Sequence, residues 1–129
     1  MGSDSSIVFA GIAPHPPIMV PEVGRTSAAA VRGSIDGMAE LTRRLISSGA
    51  ETVILISPHA PLEPYAFVAY QGSVLQANFA NFRAPAVRFE AQLDEEMLQA
   101  IAEAAGQEGY EVAGLGTGQR NRPQRRTFV

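Results

Sequence analysis

Cysteine and lysine are both missing from this chain of 129 residues. Without cysteine there is no disulfide framework and no thiolate metal site, so any bound metal must rely on nitrogen and oxygen ligands. A long apolar run is missing too: none approaches the roughly 20 residues that span a bilayer. Met1 to Ser6 are small and polar, lack the basic start and apolar centre of a signal peptide, and read as a disordered N-terminus. The expected location is the cytoplasm, with no membrane partner. The Gly-x-Ser-x-Gly turn of serine hydrolases is likewise missing.

What is present is ordinary globular material, 46% hydrophobic and 18% charged residues, enough for one compact domain. Its charge is unevenly placed. Residues 1–119 hold six arginines against thirteen acids, a balance of −7, and the last ten residues bring four arginines and no acid, returning the total to −3. Such a short basic end, without interleaved aromatics, is a weak footprint for nucleic acid, and no nucleic-acid partner is expected.

The pattern along the chain is that of an α/β protein. Ile7-Val8-Phe9-Ala10-Gly11-Ile12 and Thr52-Val53-Ile54-Leu55-Ile56 are continuous apolar runs suited to strands buried on both faces. Between them, Val31, Ile35, Met38, Thr42 and Leu45 recur at the spacing of an amphipathic helix over about 26–48, stopped by Gly49. Gly33 and Gly37 lie within it, and close packing against a sheet is their expected role. A strand, helix, strand unit of this kind is almost always parallel and right-handed. Further on, strands are expected at Ala66 to Tyr70 and Val87 to Glu90, with an irregular segment around 78–82. A second helix follows on Leu93, Met97, Ile101 and Ala104 or Ala105, closed by Gly106 and Gly109, and Tyr110 to Ala113 is a last strand. The fold class is α/β, a mainly parallel or mixed sheet flanked by helices.

The two histidines of the chain sit in near-duplicate settings, Ala13-Pro14-His15-Pro16-Pro17 and Ser57-Pro58-His59-Ala60-Pro61. Each follows an expected strand, so a parallel pair would bring both to the carboxyl edge of the sheet, where open α/β sheets bind ligands. Flanking prolines fix one backbone angle and push the intervening residue toward extended geometry, which presents each imidazole from a stiff loop. A neutral imidazole suits iron, zinc or copper. A third ligand is needed, and a carboxylate would give the two-histidine, one-carboxylate face that leaves positions open on iron(II). Glu22 and Glu63 lie within eight residues of a histidine. Glu22, beside Pro21, reads better as a residue that caps or precedes the first helix and Glu63, before Pro64, as a solvated loop residue. Gly114, Gly116 and Gly118 lack phosphate-cradling spacing.

With those residues in view, the chain resembles the class III extradiol ring-cleavage dioxygenases of the protocatechuate 4,5-dioxygenase beta-subunit type, and most closely the bacterial branch related to the Memo proteins. The opening Ile7 to Pro17, the block Val53 to Pro61 and the later Phe79-Ala80-Asn81-Phe82-Arg83-Ala84-Pro85 match that pattern in order. The resemblance covers residues 7–118 and implies an N-terminal half of the family domain. It implies a non-haem Fe(2+) cofactor, a catechol-type aromatic substrate and dioxygen, with His15 and His59 as metal ligands. The family's third ligand, a glutamate far down the chain, and its acid/base histidine have no counterpart here. Where family members show an Asp-His-Gly turn, this chain has Arg120 and the atypical arginine-rich tail of residues 119–129. A truncated reading frame is the expectation, with an uncovered hydrophobic face through which copies associate and weakened catalysis. Two other readings use the same histidines: a Memo-like domain that binds a metal or peptide without redox turnover, and a hydrolase with zinc.

Overall fold

The computed structural model describes residues 7–59 and 63–116. The expected disordered residues 1–6, the turn residues 60–62, Gly118 and the arginine-rich tail lie outside them. The chain divides into two compact units, one of residues 1–54 and 78–88, the other of residues 55–77 and 89–129.

The first unit is mostly helical. Pro17 opens a single 3-10 turn, Pro17–Met19, because its fixed φ suits a first helical position and its missing N–H costs nothing there. The short helix α1, Pro21–Gly24, follows. Gly24 is the residue that fits its position, since a Cβ would run into the carbonyl of Ile18. A 3-10 stretch, Arg25–Val31, leads into α2, Arg32–Ser47. Val31, Ile35, Met38 and Leu45 are half-buried as their spacing predicts, but Leu41 takes the buried place expected of Thr42. Thr42 is exposed and its hydroxyl donates to the carbonyl of Met38 one turn back. Gly49, at φ 74°, ends the helix in the left-handed region that glycine adopts without strain. On the outer face Glu40 accepts hydrogen bonds from both Arg43 and Arg44, which hold its carboxyl well below the usual range, at about 2.

Gly33 and Gly37 correct the sequence reading. A Cβ at either would meet nothing within 4 Å, so neither is there for close packing. They cost the helix propensity without a packing return. Gly37→Ala is therefore expected to raise stability by about 0.4–1 kcal/mol, read as a higher denaturant midpoint with an unchanged slope.

The second unit is built on β1, Ala66–Gln71, and β4, Glu111–Gly116, which pair in parallel with Ala66 opposite Glu111 and Gln71 opposite Gly116. Parallel neighbours need a crossover, and α3, Glu95–Gln107, provides it and packs on β4. Asp94 caps α3, its side chain accepting from the Met97 amide at 2.9 Å, with Glu95 and Glu96 in the first turn where the helix dipole favours acids. At the other end the Tyr110 amide reaches back to Ala105 and the Gly109 amide to Gly106, with Gly109 at φ 83°, a Schellman closure. Asp94→Ala is expected to cost about 1 kcal/mol, seen as a lower denaturant midpoint, because it orphans the Met97 amide.

β2, Val74–Phe79, and β3, Ala84–Gln92, pair with each other as a hairpin. Its antiparallel register shows in the Leu93 amide on the Ser73 carbonyl and the Gln76 amide on the Glu90 carboxylate, 2.8 Å apart. The Asn78 side chain accepts from the Ala80 amide, and a 3-10 turn, Ala80–Phe82, leads to Arg83 in the left-handed region. The Val74–Phe79 strand was not expected, although Leu75, Ala77 and Phe79 alternate with polar Gln76 and Asn78, the period of two that marks a half-buried strand. β4 also runs three residues beyond its expected end at Ala113.

Helices, a parallel pair and an antiparallel pair make this an α/β mixed fold. The expected pairing of 7–12 with 52–56 is not made: both runs lie outside any ladder. A parallel pair is stable when both faces are covered, and these runs are bare. Ile12 is 98% exposed, Leu55 82% and Ile56 92%, while Ala84 is the one buried hydrophobic side chain among the described residues. Gly11 does lie against α2, where a Cβ would crowd the Leu41 methyl at 2.8 Å.

Candidate metal centre

His15 stands in the first unit and His59 in the second. Both are exposed, and both engage in an interaction with their surroundings. His15 precedes Pro16, whose extended backbone (φ −68°, ψ 133°) carries the chain into the 3-10 turn at Pro17. Two ring-locked residues, Pro14 and Pro16, flank the histidine. At His59 the backbone amide donates to the Ser57 hydroxyl at 3.3 Å, a side-chain turn that shapes the approach of the histidine to Pro58. Ser57 thus has a local structural job.

The argument that placed both histidines at one sheet edge falls with the missing ladder between 7–12 and 52–56. Among the described residues, no three histidine, aspartate or glutamate side chains gather in a metal-holding arrangement. Glu22 occupies the first turn of α1, where an acid complements the helix dipole. Glu63 is exposed on the loop before β1. The donor chemistry of two imidazoles fits iron(II), zinc or copper, but as a set it is one ligand short of a closed site.

No described helix is long and apolar enough to cross a membrane.

Comparison with known proteins supplies what the geometry does not. A protein of Clostridium acetobutylicum, whose name states no activity, is 31% identical over 93 residues, which is 71% of this chain and 20% of that protein. The chain thus spans about one fifth of the length of the curated relative it matches. No solved structure matches it significantly. The family described as the catalytic LigB subunit of aromatic ring-opening dioxygenase matches residues 10–120, a span that contains both histidine turns and, among the described residues, both longer helices and all four strands. The chain therefore belongs to the LigB family of aromatic ring-opening dioxygenases.

Proposed function

We propose that this chain is the metal-ligand-bearing front part of an extradiol dioxygenase, one that opens a catechol-type ring with dioxygen at non-haem iron(II). The observation that carries the reading is the family match over 10–120, because it includes the two Pro-His turns in order. In this reading His15 and His59 donate a ring nitrogen each. Iron(II) held by them would supply a redox-active Lewis acid for the reaction of the ring with dioxygen. The chain's own part is to fix the donors: Pro14 and Pro16 around His15, Pro58 and the Ser57 hydroxyl at His59, so that little entropy is lost when the imidazoles are engaged. A carboxylate completes the set in the family pattern, and residues 7–118 form the corresponding portion of the domain.

The reaction consumes one dioxygen per ring and places both oxygen atoms in the product. Protein loaded with iron(II) without air, then given catechol and oxygen, should consume oxygen slowly, for want of the third ligand and the acid/base histidine, and yield a product with the mass of catechol plus two oxygen atoms. Tight catechol and iron binding with no oxygen uptake would favour the Memo-like binding reading instead.

A further inference from the structure

A second candidate site lies in the other chemistry of the second unit, away from metal ligation. Two of the chain's three tyrosines, Tyr65 and Tyr110, meet Phe67 around a surface hollow of about 370 Å³. The parallel register explains why. Phe67 pairs with Val112, and paired residues present their side chains on the same face of a sheet. Tyr65 and Tyr110 each stand one residue before their strands, two residues ahead of Phe67 and Val112, and both border the hollow with Phe67. The Phe67 and Tyr110 rings stand edge to face with centroids 6.2 Å apart. Tyr65 is 92% exposed, so its ring is open to a ligand. The remaining polar side chain of the hollow is the carboxylate of Glu63.

Rings in this number would also suit an apolar guest, but Glu63 adds a negative charge at the same place, and among the described residues no cationic side chain lines the hollow. Ring faces and a carboxylate favour the same ligand sign. We propose that this hollow binds an alkylated ammonium group, a weakly hydrated cation that gives up little water on meeting the rings. Its volume leaves room for a substituent beyond the charged head.

The test is a proton NMR titration of the full chain with tetramethylammonium chloride, at constant ionic strength, set against tert-butanol as a neutral probe of the same shape. The tyrosine ring signals should shift saturably with the cation and only weakly with the alcohol. Tyr65→Leu should weaken cation binding roughly two- to fivefold, the worth of one exposed ring, whereas Tyr65→Phe should keep it. Glu63→Gln should weaken the cation and leave the alcohol unchanged. All three variants alter exposed side chains, so folding is preserved. Equal shifts with both probes, shifts that never saturate, or unchanged binding in Tyr65→Leu would overturn the proposal.

Discussion

His15→Ala and His59→Ala should each lower iron(II) affinity by at least roughly tenfold, since even residues that merely orient ligands cost this much when removed. The double variant should lose measurable binding. The expectation rests on donor chemistry: apart from these two imidazoles the chain offers carboxylates, carbonyls and hydroxyls, which leave a borderline metal without nitrogen donors. Anaerobic titration with a competing chelator measures the effect. Circular dichroism should be unchanged, because both side chains are exposed and their loops are held by proline and, at His59, by a backbone contact to Ser57. A single variant that binds as tightly as the parent would remove that histidine from the site. Equal affinity in both would end the metal reading.

The second large effect concerns the bare apolar runs. Val53, Ile54, Leu55 and Ile56 are all at least 60% exposed, as is Ile12 in the opposite run. Such β-branched, uncharged segments without a ladder partner offer backbone and side chains for pairing with another molecule. The chain is expected to self-associate in a concentration-dependent way, seen by sedimentation velocity. Leu55→Lys should shift most of the associated material to monomer, because a charge on an open edge is a standard block to strand addition. Little stability should be lost, as Leu55 contributes no buried contact in the isolated chain. Identical sedimentation of parent and variant would place the association surface elsewhere, or deny it.

Those two runs also mark the boundary of what the sequence made legible. Local signals were sound. The three-and-four spacing through Val31, Ile35, Met38 and Leu45 located α2, and Leu93, Met97 and Ile101 located α3, because helix periodicity is set by neighbours along the chain. Gly109 marked the carboxyl end of α3 through the orphan carbonyls that every helix leaves, whereas the capping role of Asp94 is seen only in the structure. Strand-like composition at 7–12 and 52–56 was equally plain, but pairing is a long-range event, and a run built to be covered on both faces forms a ladder only where something covers it. The role assigned to Gly33 and Gly37 failed with it, since a Cβ at either would meet nothing within 4 Å. β2 was overlooked through its polar residues, Gln76 and Asn78, although these alternate with Leu75, Ala77 and Phe79 as a half-exposed strand requires.

For the candidate centre the division is similar. The two Pro-His turns could be read directly, and so could the reason for their stiffness. Their shared placement at one sheet edge was an inference from strand pairing and does not survive it. What supports treating them as a pair is the family match that contains both. Glu22, expected to cap or precede the helix at 26–48, lies in the first turn of the separate short helix α1, while Glu63 is an exposed loop residue as its proline neighbour suggests. The aromatic hollow beside Glu63 was not foreseen, because it depends on the register that brings Phe67 beside Tyr110 across 43 residues of chain.

The most direct measurement is X-ray absorption at the iron edge of the iron(II)-loaded chain, counting imidazole scatterers. Two imidazoles per iron, falling to one in either His15→Ala or His59→Ala, is the result predicted here. No imidazole scattering, or a count unchanged by both substitutions, would contradict the assignment of His15 and His59 as the ligand pair.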